Sequence, residues 1–359
     1  MLIFLITLAS SCLMIILIIQ SKNLHAQFSA DSDLVGIQKF HQVVVPRIGG
    51  LGIAFGLLLG FFISFKSHGV LPFYGIILGC AMMVFTTGLV EDLRKDLSVQ
   101  SRLFFVTLSS GIAIYLLNCP ITRLDLPGID LALSYYPVAY LFTIFAVLGV
   151  TNAYNIIDGF HGLSSMIGMM TLLALGLVSL EVQDSQIAFL SFSMLAATLG
   201  FFIFNFPKGL IFLGDGGAYL IGFWIAVLSV MICSNHQEIS PWFALLVNAY
   251  PICETIFSIY RRKLQKRKNA GHPDGIHLHS LIFRRILKNK KQLNDHDWFS
   301  ANAKTSPYLW ILSAFSIVPS ILFWYSTPIL FTCFTFFATS YCWFYRRIVT
   351  FRTPKLTLL

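Results

Sequence analysis

Hydrophobic residues occur in eleven long runs that are separated by polar gaps. A hydrocarbon core about 30 Å thick needs roughly 20 helical residues to cross it, and most of the runs approach that length. We therefore predict an all-α polytopic membrane protein with about 11 transmembrane helices; two shorter runs leave a count of ten open. The runs cover residues 2–20, 44–64, 70–90, 103–118, 134–150, 164–180, 187–204, 217–233, 241–259, 308–326 and 328–345.

Basic residues are confined almost entirely to every second gap between these runs. Of the 25 Lys and Arg residues, only Lys66 and Arg123 fall in the alternate gaps. Because Lys and Arg concentrate on the cytoplasmic side of membrane proteins, this alternation predicts an N-terminus outside and a C-terminus in the cytoplasm. The polar gaps that carry the candidate chemistry would then face the cytoplasm.

Composition supports a membrane protein. Hydrophobic residues make up 56% of the 359 residues, charged residues make up 11%, and the mean hydropathy is +0.75, which is far from the balance of a soluble domain. The net charge of +9 does not predict nucleic-acid binding, because the basic residues lie beside the hydrophobic runs and would contact anionic membrane lipids. The seven cysteines include no C-x-x-C pair, so we expect no disulfide framework.

No repeat or linker divides the chain, so we predict one membrane domain over residues 1–359. Residues 260–307 form a long basic cytoplasmic loop in this prediction. The first run begins directly at Met1 without a basic region or a cleavage site, and we predict that it is a retained span. A homodimer remains open.

Two adjacent acids, Glu91 and Asp92, follow the third run. Closely spaced carboxylates repel each other unless a cation or a proton relieves them. Mg²⁺ prefers oxygen ligands and commonly shares the phosphates of a substrate. We therefore predict a substrate-site role for Asp92, with helix capping as the alternative.

Three oxygen-bearing side chains recur every three residues in the next cytoplasmic gap. Asn152, Asn155 and Asp158 would stack along one face of a helix. Gly159 and Gly162 follow, and they permit close backbone approach or a left-handed turn. We interpret this stretch as part of a substrate site; the alternative is a polar helix terminus that ends in glycine.

A second acid lies among small residues before the eighth run. Asp215 is flanked by Gly214, Gly216 and Gly217, whose backbone N–H groups could meet an anion. A plain turn would explain the glycines but not the position of the acid after Lys208.

The long cytoplasmic loop contributes His277 and His279 after a predicted turn at 273–275. A zinc site needs three or four suitably spaced ligands, and no cysteine accompanies these histidines. We predict that they bind or protonate a phosphate oxygen; a solvated histidine pair is the alternative.

These gaps combine acids that could bind Mg²⁺, basic residues that could bind phosphate and asparagines that could bind a polar group. This combination suits phosphoryl transfer, which depends on positioning and charge neutralisation. At a membrane surface this chemistry implies one lipid-borne and one soluble substrate. The rival hypothesis is a transporter or flippase of a lipid-linked sugar, for which Glu254 is the main acid inside a run.

The chain resembles a known family, the polyprenyl-phosphate N-acetylhexosamine-1-phosphate transferases of glycosyltransferase family 4, which are related to the muramoyl-pentapeptide translocase. The resemblance rests on the motifs Lys39-Phe40-His41, Pro46-Arg47-Ile48-Gly49-Gly50, Glu91-Asp92, the stretch 152–163, Phe212-Leu213-Gly214-Asp215 and the stretch 273–279.

The resemblance implies transfer of a sugar-1-phosphate from a UDP-sugar to undecaprenyl phosphate, with release of UMP, in a bacterial inner (plasma) membrane. The sugar would be an N-acetylhexosamine, with N-acetylglucosamine as the default, and the product would begin a cell-surface glycan such as O-antigen. The cofactor implied is Mg²⁺, or Mn²⁺ in its place. We expect direct attack by the lipid phosphate on the donor, although a covalent route through an acidic residue remains open.

The same resemblance implies roles for individual residues. Asp215 would be the best Mg²⁺ ligand, with Asn155 beside it. The implied catalytic residues are Asp92, Glu91, Asp158 and Asp215. The implied substrate-binding residues are Lys39, His41, Asn152, His161, Asn205, Lys208, Phe212, His277 and His279.

Three positions depart from the family pattern. Glu91 stands where an Asp is usual, His161 stands where a second Asp is usual, and Gly216 and Ala218 replace the more common residues after Asp215. Since Asp92, Asp158 and Asp215 are kept, we expect activity with an altered donor preference.

Overall fold

A computed structural model describes residues 1–24, 45–68, 72–262, 276–287 and 295–350. Within these ranges the regular elements are helices, which confirms the all-helical prediction. The α-helices are α1 (Leu2–Gln20), α2 (Gly50–His68), α3 (Pro72–Arg94), α4 (Val99–Leu117), α5 (Ile129–Leu133), α6 (Tyr136–Ile156), α7 (Leu163–Glu181), α8 (Ser185–Asn205), α9 (Gly214–Asn235), α10 (Pro241–Val247), α11 (Ala249–Tyr260), α12 (Leu278–Ile282), α13 (Asp295–Leu322) and α14 (Thr327–Val349).

The chain is a multi-pass membrane protein. In the described part, nine helices are long and apolar enough to cross a membrane, and a tenth span is formed if α10 and α11 are counted together. The stretch of α2 that counts as an apolar helix, Gly50–Lys66, is shorter than these. The count of eleven spans and the orientation of the termini stay predictions.

The hydrophobic run at 241–259 is broken rather than straight. Helices α10 and α11 meet at Asn248 with a bend of 74°. The Asn248 side chain donates to Ser229 Oγ (3.2 Å) and to Ala244 O (3.0 Å), and its Oδ1 accepts from the Tyr154 hydroxyl (3.3 Å). A buried amide therefore satisfies polar groups at a break that lies inside the protein.

A proline accounts for the missing backbone hydrogen bond at this break. Pro251 has no N–H to donate to the carbonyl of Val247, four residues earlier. The Thr171 hydroxyl donates to Val247 O instead, at 3.3 Å. As a result, α11 points away from the axis of α10. The bend brings the polar residues of α11 to the candidate site that is described below.

Residues 260–307 contain helical structure where the sequence predicted one loop. Helix α12 and a π-helical turn at Phe283–Leu287 lie in its middle, and α13 already begins at Asp295. The single-domain organisation stays a prediction.

Helix α9 lies at the centre of the bundle and is buried along most of its length. Glycines let α2 and α3 approach its first turn through their backbones. A Cβ on Gly50 would lie 2.5 Å from Gly217 N, and a Cβ on Gly88 would lie 2.6 Å from Gly216 Cα. This close packing brings the C-terminal end of α3 against the N-terminal end of α9.

Candidate functional site

Asp92, near the end of α3, forms the N-terminal cap of α9. Its carboxylate accepts hydrogen bonds from Asp215 N (2.9 Å) and Gly216 N (3.0 Å), and Asp92 is only 4% exposed. A carboxylate at this end of a helix satisfies free N–H groups and interacts favourably with the helix dipole. The N–H groups of Asp215 and Gly216 thus do meet an anion, as predicted for this segment, but that anion is the carboxylate of Asp92. A further role of Asp92 toward a substrate stays a prediction.

Asp215 is held by two arginines. Arg47 Nη2 lies 2.5 Å from Asp215 Oδ1, and Arg102 Nη1 lies 2.8 Å from Oδ2. Arg47 also lies close to Asp92, with 3.3 Å between its Nε and Asp92 Oδ1. The result is a compact cluster of two carboxylates and two guanidinium groups where α3, α4 and α9 meet.

The sequence did not single out Arg47 and Arg102 as site residues. Both contribute to the alternation of basic residues that predicts the topology, and Arg47 lies in the motif Pro46-Arg47-Ile48-Gly49-Gly50. Arg102 lies one helical turn after the Ser98 cap of α4. A signal was present, since Arg102 shares a polar gap with Glu91 and Asp92 and Arg47 follows another gap on the same predicted side of the membrane. Neither the direction nor the partners of the two side chains can be inferred from spacing.

Asp158 lies outside the helix on which it was predicted. Helix α6 ends at Ile156, so Asn152 and Asn155 belong to its last turns but Asp158 does not, and the predicted three-residue helical face is wrong at this position. Asn152 Nδ2 donates to Leu148 O at 2.8 Å, within α6.

The charge state of Asp158 reflects its surroundings. Desolvation above all, together with the nearby carboxyls of Asp215 and Asp92, raises the pKa of Asp158 to about 8 against the opposing influence of Arg47. Asp158 therefore lies close enough to Asp92 and Asp215 for their charges to interact, and the catalytic roles of the three acids stay predictions.

Asn205 joins two loops of the chain. Its Oδ1 accepts from Gly162 N (2.6 Å), its Nδ2 donates to Ile211 O (2.7 Å), and the residue is only 5% exposed. These contacts fix the segment after α6 against the segment before α9. The observed role is structural, and the implied role in substrate binding stays a prediction.

The residues His161 and Phe212 lie together beside this junction. Their ring centroids are 5.7 Å apart, and His161 Nδ1 lies 3.3 Å from Pro207 O. The His161 backbone N–H donates to Asn302 Oδ1 at 3.0 Å, which links the site to α13. Lys208 is exposed in the loop between α8 and α9.

His277 and His279 stack on each other and are both buried. Their centroids are 5.2 Å apart at an interplanar angle of 16°, and each residue is 3% exposed. His277 Nδ1 lies 2.9 Å from Glu254 Oε1 on α11. The alternative of a solvated histidine pair is therefore wrong. Glu254, the acid of the rival transporter hypothesis, is the partner of His277.

Glu91 closes the turn that follows α3. Its Oε2 accepts a hydrogen bond from Leu97 N at 2.9 Å. Lys39, His41 and the predicted turn at 273–275 lie outside the described residues.

In the described ranges, no three His, Cys, Asp or Glu side chains lie close enough together to hold a metal ion by themselves. Asp158 and Asp215 nevertheless suit a hard divalent cation. The raised pKa of Asp158 arises partly from Asp215 and Asp92, and a cation between carboxylates relieves that repulsion. Mg²⁺ commonly takes only one or two carboxylates and fills its other positions with water and phosphate oxygens.

Sequence comparisons point in the same direction. The model of the family described as glycosyl transferase family 4 matches residues 74–233. An undecaprenyl-phosphate alpha-N-acetylglucosaminyl 1-phosphate transferase of Yersinia pestis is 30% identical over 264 residues, which cover 70% of this chain and 69% of the relative. The enzyme of the same description from Escherichia coli (strain K12) is 29% identical over 268 residues, or 70% of this chain and 69% of the relative. A probable undecaprenyl-phosphate N-acetylglucosaminyl 1-phosphate transferase of Bacillus subtilis (strain 168) is 29% identical over 243 residues, covering 67% and 66%.

Proposed function

Because the chain belongs to glycosyl transferase family 4, we propose that it transfers N-acetylhexosamine-1-phosphate from a UDP-sugar to undecaprenyl phosphate and releases UMP. N-acetylglucosamine is the default sugar, in agreement with the names of the relatives. The reaction would take place at the cytoplasmic face of a bacterial inner membrane and begin a cell-surface glycan such as O-antigen.

The observation that carries this proposal is the cluster of Arg47, Arg102 and Asp215 beside Asp158. Guanidinium groups bind phosphate oxygens in the same forked geometry in which they bind a carboxylate. Arg47 and Arg102 can therefore receive the donor diphosphate at the place where they now contact Asp215. His277, His279 and Lys208 are the further candidates for phosphate contacts.

Asp158 and Asp215 would hold the divalent cation, with Asn155 close to it. When bound, Mg²⁺ supplies neutralisation of the charge on the diphosphate. Asp92 keeps Asp215 in place by capping the helix on which Asp215 lies.

The lipid phosphate needs little help to become a nucleophile. A phosphate monoester has a second pKa near 6, so it is largely dianionic at neutral pH. One of its oxygens forms a new bond to the β-phosphorus of the donor, and the bond from that phosphorus to the bridging oxygen breaks. The electron pair leaves with UMP. The arginines stabilise the charge that develops on the phosphoryl oxygens.

The transporter alternative gains no support from Glu254, the acid on which it depended. Both carboxylate oxygens of Glu254 accept hydrogen bonds, from His277 and from the Tyr341 hydroxyl (2.8 Å). An acid that is engaged in this way is not an open ion site within the membrane.

Release of UMP by the purified protein tests the proposal. We expect release from UDP-N-acetylglucosamine only when polyprenyl phosphate and Mg²⁺ are both present, and a panel of other UDP-sugars establishes the donor preference. Asp215→Asn should remove the activity, whereas Asp96→Asn, at an exposed carboxyl in the same region, should retain it. UMP release without the lipid, or full activity of Asp215→Asn, would contradict the proposal.

A further inference from the structure

Glu254 is a buried carboxylate with a full set of partners. It is 1% exposed, and it accepts from His277 Nδ1 (2.9 Å), from Leu278 N (3.2 Å to Oε1) and from the Tyr341 hydroxyl (2.8 Å to Oε2). A buried carboxylate is costly to maintain unless it is paired and hydrogen-bonded. Its partners come from two separate segments of the chain, and residues 254–341 lie outside the stretch matched by the family model.

These contacts determine which nitrogen of His277 carries a proton. The N–H of Leu278 can only donate, so Glu254 Oε1 must act as an acceptor at this position. His277 Nδ1 lies against the same oxygen and must then be the protonated nitrogen. Nε2, on the far side of the imidazole ring, is left for other partners, as in other histidines that are oriented by a carboxylate.

The oriented ring belongs to a stack that reaches the segment after α6, which contains Asp158. His277 stacks on His279, and His279 packs edge-on against Phe160 with 5.5 Å between ring centroids. A Cβ on Gly159 would lie 3.0 Å from His279 Nε2, so the backbone next to Asp158 touches the second histidine directly.

The residue that precedes His277, Ile276, is held by two further side chains. Arg261 Nη1 donates to Ile276 O at 2.6 Å, and the Tyr345 hydroxyl donates to the same carbonyl at 3.0 Å. Residue 276 is thereby anchored, and Glu254 anchors residues 277 and 278. The segment is therefore held by side chains of α11, of Arg261 directly after it, and of α14.

We propose that Glu254 is a positioning residue for the transfer reaction: acting through His277, it holds the imidazole with Nδ1 as donor and presents Nε2 to a phosphate group of the substrates beside the Asp158 segment. Tyr341 supports this arrangement by holding the other oxygen of Glu254. The inference deepens the proposed function and rests on it.

Glu254→Gln removes the charge but keeps the size of the side chain. We expect a loss in kcat/KM of about 10- to 100-fold, the range for outer carboxylates that orient a histidine. Glu254→Asp keeps the charge on a shorter arm and should recover part of the loss. Tyr341→Phe should have a smaller effect than Glu254→Gln, since the contact between Glu254 and His277 remains.

Tyr250→Phe is a matched control on the same helix. Tyr250 lies one turn before Glu254 and is 1% exposed, and its hydroxyl has no hydrogen-bond partner among the described residues. We expect this variant to keep the wild-type kcat/KM and melting temperature. The melting temperature of each variant in detergent reports whether it is folded.

A double-mutant cycle separates positioning from a merely structural role. If Glu254 acts through His277, Glu254→Gln should reduce kcat/KM less than about twofold in a His277→Gln background. The same cycle is measured on the melting-temperature shift produced by UDP-N-acetylglucosamine, which covers the case that His277→Gln is too slow to assay. Additive losses in a folded protein, or Glu254→Asp no better than Glu254→Gln, would overturn the inference. Wild-type protein that transfers no sugar phosphate would instead overturn the proposed function.

Discussion

The carboxylate of Asp92 accepts hydrogen bonds from the backbone of Asp215 and of Gly216, so one acid of the site holds the helix that carries the other. Asp92 and Asp215 also share Arg47 as an ion-pair partner. Loss of Asp92 would therefore disturb both the fold of the first turn of α9 and the charge balance around Asp215. This coupling separates the role of Asp92 from that of an isolated catalytic acid.

Asp92→Asn should reduce stability as well as activity. An amide is neutral and accepts through one oxygen only, so both backbone N–H groups lose a charged acceptor and one of them loses its acceptor altogether. Loss of a cap costs about 0.5–2 kcal/mol. The check is the melting temperature in detergent together with the rate of UMP release. Asp96→Asn is the control, because the Asp96 side chain is 63% exposed. If Asp92→Asn lost activity at an unchanged melting temperature, capping would not be its main role.

Arg102→Gln should weaken binding of the nucleotide-sugar. Arg102 now contacts Asp215 and would contact phosphate in the complex, and a charge-assisted hydrogen bond supports roughly a tenfold change in affinity. We expect KM for the UDP-sugar to rise by about tenfold. Arg94→Gln, at a side chain that is 70% exposed, should leave KM unchanged. Equal KM values for the two variants would exclude Arg102 from the donor site.

Binding of Mg²⁺ should strengthen as pH rises. The pKa of Asp158 is raised to about 8, so below that pH the metal-free protein holds a proton that the cation must displace. The apparent affinity should then increase by up to about tenfold per pH unit on the acid side of this pKa and level off above it. Titrating Mg²⁺ while following the melting temperature measures this without an activity assay.

Asp158→Asn is the control for this dependence. The amide carries no proton that competes with Mg²⁺ in this range, so we expect weaker binding with a flatter pH profile. The assignment fails if the variant keeps the wild-type affinity at each pH.

Cysteine labelling tests the predicted orientation. Lys66 and Lys208 are both exposed, and the charge pattern places them on opposite sides of the membrane. In a variant whose seven native cysteines are replaced, Lys66→Cys should react with a membrane-impermeant maleimide added to intact cells. Lys208→Cys should react only after the membrane is opened. The reverse result would mean that the predicted topology is inverted and that Asp92 and Asp215 face the outside.

The positions of the helices could be predicted from the sequence because long apolar runs in a membrane must satisfy their backbone within the helix. The break at Asn248 could not, since hydropathy is the same for a straight and a bent helix. Pro251 was a local signal, but its consequence depends on Thr171 and Asn248, which supply hydrogen bonds from within the bundle.

The sequence indicated which acidic residues belong to the candidate site, but it did not indicate which residues they contact. The spacing of Asn155 and Asp158 suggested one helical face, whereas the helix ends between them. Likewise, Glu254 and His277 are 23 residues apart, and no periodicity connects them. Their contact depends on the bend before α11 and on the packing of α14, which are properties of the tertiary structure.

The close approach of Gly88 and Gly216 has a consequence for how such a protein can diverge. A Cβ on Gly216 would lie only 2.9 Å from Leu89 N, so main-chain atoms rather than side chains set the spacing between α3 and α9. Asp92 and Asp215 inherit their separation from that spacing. Substitutions in the surrounding loops can therefore adapt the site to a different sugar without changing the distance between the two acids.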